Sequence, residues 1–191
     1  MNRSLPAIAT DQVIMSAQIT PDHRPRRRTG DDSGQALLEF ALCASVLFIL
    51  LFGVVDVSRS LFVGQIIVNL TGEGCALASR GTSLSDSATA VMNASPPLSF
   101  ATNGRVIVSS VYNNNNTLKL TGQSALGGLA ATSRIGSTIG STVSLPANAT
   151  PQVGQTVFIT EVFYTYHSIT PVGSFLNATV VPSQLYDVGY Y

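Results

Sequence analysis

Twenty consecutive residues, Ala36 to Val55, carry a single charge, Glu39. As a helix at 1.5 Å per residue the run is about 30 Å long, the hydrocarbon thickness of a bilayer. A helix on the surface of a soluble domain keeps a polar face, and this one has none over five turns. The chain is therefore organised around a membrane anchor. An ionised Glu within such a helix costs a few kcal/mol on insertion scales, so its presence calls for a reason. Arg24, Arg26, Arg27 and Arg28 lie shortly before the run, whereas Asp56 and Arg59 follow it and cancel. The positive-inside rule then places residues 1–34 in the cytoplasm and the C-terminal body across the membrane.

Three kinds of N-terminus carry a basic flank and an apolar run. A secretory signal peptide has an apolar stretch of about 7–15 residues followed by a small-x-small cleavage site. This run is longer, and Phe52-Gly53-Val54-Val55-Asp56 offers no such site. An uncleaved single-span envelope protein, whose outer domain binds a partner or ligand, explains the length and the arginines but not Glu39. The third kind is a processed anchor. Gly34 is followed by Gln35-Ala36-Leu37-Leu38, then Glu39 and Phe40. Gly, four uncharged residues, Glu and an aromatic at the mouth of a span resemble the processing site of type IV prepilin-like proteins. The resemblance implies that a prepilin peptidase cuts between Gly34 and Gln35. It also implies that Glu39, with Phe40 beside it, faces the freed amino group of a neighbouring subunit.

The next stretch narrows the resemblance. Phe52-Gly53, Asp56, Arg59, Gln65 and the segment Glu73-Gly74-Cys75-Ala76 are similar to the TadE-like minor pseudopilins of the tight-adherence (Flp, type IVb) pilus system. The similarity covers about Gly34 to Arg80. A weaker echo lies in Glu161-Val162-Phe163-Tyr164 and in Thr170-Pro171. Many relatives carry Arg-Glu-Gly-Ala-Arg where this chain has Gly72-Glu73-Gly74-Cys75-Ala76. The family implies a non-enzymatic role in assembling a pilus used for adhesion or biofilm formation. The partners it implies are the inner membrane, the prepilin peptidase, other pilins and pseudopilins, and the pilus assembly platform. It implies a single-pass protein of the bacterial inner membrane with a periplasmic C-terminal domain, open to incorporation into an extracellular pilus. Asp56 and Arg59 stand at i and i+3 on the helix, as a local pair or as a subunit contact.

The expected fold class is α+β: a long N-terminal helix, membrane-spanning in its first half and amphipathic in its second, on a small, mainly antiparallel sheet. Residues 1–34 form a cytoplasmic leader, counted from Met1 or from Met15. Beyond Val13-Ile14 the leader has no apolar periodicity, so disorder is expected there. Residues 35–56 form the transmembrane segment and 57–80 the amphipathic continuation, where Val63, Ile66, Ile67, Leu70, Gly74 and Leu77 recur at helical steps. Gly72 and Gly74 each cost about 1 kcal/mol relative to Ala, which predicts bending or fraying, and Gly81 is the expected stop.

Residues 81–191 read as an extracytoplasmic β-rich domain. Ser85-Asp86 starts a short helix through about Asn93, ended by Pro96-Pro97. Arg105 to Tyr112 and Thr117 to Leu120 form a hairpin around the asparagines 113–116. Gly122 to Gly154 is a surface loop or a weakly patterned pair of strands. Gln155 to Tyr166 carries apolar groups on both faces, as in a strand covered on both sides. Val172 to Val181 and Leu185 to Tyr191 add short strands.

Charged residues make up 10% of the chain, the net charge is zero, and half of the ten basic residues lie in the first 28 positions. That balance argues against nucleic-acid binding. If one helix connects Cys43 and Cys75, they stand about 48 Å apart and form no internal disulfide. The two histidines, His23 and His167, have no partner set for catalysis or metal binding in the sequence. No cofactor, metal site or enzymatic activity is expected. Tyr186, Tyr190 and Tyr191 serve edge packing or a partner-facing aromatic patch.

Overall fold

The computed structural model describes residues 29–171 and 183–191. The arginine cluster, His23 and the strand expected over Val172–Val181 lie outside the described residues. The chain divides into two units, residues 1–42 and 43–191. Helix α1, Thr29–Ser79, runs through their boundary. It begins seven residues before the apolar run.

The C-terminal end of α1 is set by Gly81, whose φ of +92° is the left-handed conformation that favours glycine. The Thr82 N–H reaches the Leu77 carbonyl and the Gly81 N–H reaches that of Ala78, a Schellman stop. Helix α2, Leu84–Ala94, follows at once. Its cap is Ser83 rather than Ser85, because the Ser83 hydroxyl accepts from the Asp86 N–H at 3.1 Å. A single turn, α3 (Phe100–Asn103), leads into the sheet.

Four antiparallel strands, β1 (Gly104–Asn114), β2 (Thr117–Leu126), β3 (Thr156–Thr165) and β4 (Gln184–Tyr190), are ordered β2-β1-β3-β4. The β1–β2 hairpin turns through Asn115 and Asn116, with φ of 49° and 65°. Positive φ at both central residues is what a two-residue turn matched to strand twist requires, and Asn tolerates it. Strand β2 runs six residues past the expected Leu120, and the pairing shifts between Ser110 and Val111 to leave Thr121 as a bulge.

Both faces of the sheet are covered, each by a different kind of element. On one face α1 and α2 pack Val63, Ile67, Leu70, Ala88 and Val91 against Val106, Val108, Val162 and Tyr164. On the other, Val111, Leu120 and Ile159 are covered by Ile135, Val143 and Leu145 from the long connection between β2 and β3. That connection is neither a strand pair nor a free loop. It lies across the sheet, tied by an isolated Lys119–Thr142 bridge and one 3-10 turn, Ala147–Ala149. The α+β architecture expected from the sequence is present, with this irregular third layer added.

Candidate functional site

Gly34, Gln35, Glu39 and Phe40 all lie on exposed helix. A Cβ built at Gly34 meets nothing within 4 Å, so the fold itself does not require a small residue there. Glu39 accepts no hydrogen bond from any described residue. Around it, Leu37, Phe40 and Leu50 are 70%, 71% and 65% exposed, and neighbouring apolar residues are similarly bare. An apolar surface of that extent is not sustained in water and needs lipid or other apolar helices as its surroundings. Among the described residues α1 is the one helix long and apolar enough to cross a membrane.

One residue beyond the apolar run the environment changes completely. Asp56 is 1% exposed. Its carboxylate accepts from the Ser168 hydroxyl at 2.8 Å, from the Ile169 N–H at 3.3 Å and from the Thr170 hydroxyl. Its backbone carbonyl accepts from the Tyr166 hydroxyl at 3.2 Å. A buried carboxylate is tolerated when its lone pairs are filled, and here a turn at the end of β3 fills them. Arg59 is exposed and forms no ion pair among the described residues. The i, i+3 spacing of Asp56 and Arg59 is therefore not used as a local pair. Higher on α1 the Thr71 hydroxyl donates to Asp187 of β4 at 2.6 Å, a second tie between helix and sheet.

A third carboxylate holds the irregular layer. Glu161 is fully buried in the centre of β3 on the face away from α1. It accepts from the Ser133 hydroxyl, from the Arg134 N–H at 2.8 Å and from the Tyr186 hydroxyl at 3.0 Å. The Ser133 oxygen in turn accepts from the N–H groups of Ile135 and Gly136. Arg134 lays its guanidinium 3.8 Å over the Tyr186 ring. Burial, and then the Glu161 charge it donates to, push the Tyr186 phenol well above its ordinary pKa. Tyr186 is thus an internal packing residue; Tyr190 is half-buried against the second core, and Tyr191 is 71% exposed.

Sequence reasoning singled out Asp56, and Thr170 as part of a resemblance, but did not join Asp56 to Ser168, Ile169 and Thr170, which lie 112 to 114 residues away. It noted Glu161 only as part of a resemblance. The detectable signal was a lone charged residue, Glu161, in the middle of an uncharged strand. Two concavities flank the lower half of α1. A groove of about 650 Å³ runs between Val57, Leu61, Gly64 and Val68 of the helix and Leu185 of β4. A smaller pocket of about 350 Å³ lies beside Arg59 and His167. Among the described residues no cluster of three His, Cys, Asp or Glu side chains is placed to hold a metal.

No curated protein and no solved structure matches the chain. Residues 34–75 match the family model described as TadE-like protein. The matched segment begins at Gly34, carries Glu39 and Asp56, and ends at Cys75, where α1 lies on the sheet. Over that segment the chain is similar to TadE-like proteins.

Proposed function

We propose that the chain is a minor pseudopilin that contributes to assembly of a tight-adherence pilus, in adhesion or biofilm formation. One observation carries the reading. Within the TadE-like segment, Gly34 and Glu39 stand at the head of a membrane-length helix and neither has a role in the described fold. The carboxylates that the folded domain covers, Asp56, Glu161 and Asp187, each accept hydrogen bonds from within it. A carboxylate kept in an apolar anchor against a cost of a few kcal/mol is supplied from outside, by the freed amino group of Gln35 on a neighbour. Pairing the two also sets the axial register of packed helices.

In this reading a prepilin peptidase removes residues 1–34 at the cytoplasmic face. The scissile bond lies in a helix, which must open locally to enter a peptidase, and Gly34 weakens that turn by about 1 kcal/mol relative to Ala. The body beyond Asp56 is periplasmic. Subunits then leave the bilayer with other pilins and pseudopilins at the assembly platform, exchanging lipid for neighbouring helices around Ala36–Val55. The protein acts without cofactor, metal or catalysis of its own.

The test is the mature N-terminus in the membrane fraction, read by mass spectrometry. Gln35 is expected as the first residue, and Gly34→Leu is expected to leave the full-length chain in the membrane. An unprocessed wild-type chain in cells that hold an active prepilin peptidase overturns the reading and favours the uncleaved single-span anchor.

A further inference from the structure

The 350 Å³ pocket beside the foot of α1 has no part in the proposed assembly chemistry. Its polar lining is Arg59, Ser99, Asn103, His167 and Ser168. Its volume falls at the lower end of the range of small-molecule sites. Two of these side chains are free to donate: Arg59 is exposed without an ion pair among the described residues, and His167 is exposed at the end of β3. The nearest carboxylate on α1, Asp56, is turned into the hydroxyls and N–H of residues 168–170. It therefore does not take up the guanidinium. The rim is apolar, with Phe62 54% and Ile169 58% exposed.

Position decides what such a pocket meets. Arg59 is four residues beyond Val55, about 6 Å along the helix axis. The headgroup layer of each leaflet is about 5–8 Å thick. With Ala36–Val55 in the hydrocarbon, Arg59 stands at headgroup level. His167 and Ser168 stand there too, because Tyr166 and Ser168 bond to Asp56. At that depth the abundant anion is a lipid phosphate, and exposed Ile169, whose N–H bonds Asp56, suits the boundary with the acyl chains.

We propose that this pocket binds the phosphate-bearing headgroup of an anionic phospholipid in the leaflet next to the C-terminal body. Arg59 and His167 donate to the phosphate oxygens, and Ser99 and Asn103 donate to the headgroup hydroxyls. The bound lipid fixes the domain against the membrane surface before extraction. The proposal rests on α1 crossing a membrane, and does not depend on cleavage after Gly34.

The full chain is placed in nanodiscs of equimolar phosphatidylglycerol and phosphatidylcholine, and retained lipids are counted by native mass spectrometry after release into detergent. Phosphatidylglycerol is expected to be retained over phosphatidylcholine. Arg59→Gln is expected to lower that retention about 5- to 10-fold, the effect of losing one charge-assisted hydrogen bond. Arg59→Lys is expected to keep part of it. Arg80→Gln, the same charge change at an exposed site at the far end of α1, is expected to leave it unchanged. Equal retention of the two lipids, or equal losses in Arg59→Gln and Arg80→Gln, overturns the proposal. Release of the lipid from the wild type by millimolar inorganic phosphate overturns the lipid assignment and makes the site one for a soluble anion. Failure of the chain to enter the nanodisc overturns the membrane reading itself.

Discussion

Gly74 of α1 lies so close to Thr160 of β3 that a Cβ built on it would stand 2.7 Å from the threonine hydroxyl oxygen and 2.8 Å from its methyl. The Val91 side chain of α2 would be 3.0 Å away on another side. This is the point where helix, sheet and second helix meet. Gly72, one residue pair earlier, faces open space. Two glycines with the same helix penalty therefore have opposite roles. Gly72→Ala is expected to stabilise the domain by up to about 1 kcal/mol through helix propensity. Gly74→Ala makes the same local gain but overpacks the contact at about 1–3 kcal/mol, so it is expected to destabilise. Thermal unfolding of the two variants in detergent reads the difference. A stabilised Gly74→Ala shows that the contact yields easily and has no structural importance.

Asp56 is expected to latch the turn after β3 to the foot of α1. Asp56→Ala leaves two hydroxyls and the Ile169 N–H without their acceptor, at a cost of about 3 kcal/mol. Asp56→Asn keeps the shape and one acceptor oxygen, so it should cost less. Hydrogen exchange is the direct check, with the Ile169 amide expected to exchange faster in both variants. Unchanged protection there removes the latch.

Tyr186→Phe is expected to lower stability by about 1–2 kcal/mol, since Glu161 loses one donor. It should also change the alkaline limit. The folded phenol has a raised pKa and holds its proton more tightly than the unfolded one, whose value is near 10.0. Its stabilisation is therefore fully present below pH 10 and is lost as pH rises above it. Melting temperature should fall above pH 10 in the wild type and fall less steeply in Tyr186→Phe. A residual slope is expected because burial raises Tyr190 and Tyr166 as well. Parallel slopes in the two proteins disprove the Tyr186–Glu161 coupling.

Glu39 separates insertion from assembly. Glu39→Ala removes a charge from the anchor, so membrane insertion should be unchanged or easier. Cleavage after Gly34 should persist, because that bond lies five residues away. Incorporation into pili should fall, and Glu39→Gln, which keeps shape and some hydrogen bonding, should fall less far. Pili of normal number and length in the Glu39→Ala strain would refute the assembly role of this carboxylate.

Short-range features could be read directly from the chain. The anchor follows from twenty residues in a row with a single charge, and the helix face from Val63, Ile67 and Leu70 at helical steps. The Gly81 stop and the Asn115-Asn116 turn follow from backbone conformations that few residues tolerate. Each depends on residues within one or two turns of one another, so sequence alone determined them. The layer over the second face of the sheet was not legible. Ile135, Val143 and Leu145 reach the core from an irregular path and leave no period in a Gly/Ser/Thr-rich stretch. The candidate site divides in the same way. Gly34 and Glu39 stood out because their spacing along the anchor is itself the signal. The donors that satisfy Asp56 and Glu161, the close approach of Gly74 to Thr160 and the pocket that joins Arg59 to His167 bring together residues from 25 to 114 positions apart. Pairings at such separations are decided by which surfaces the folded layers bring together, and only the tertiary structure chose them.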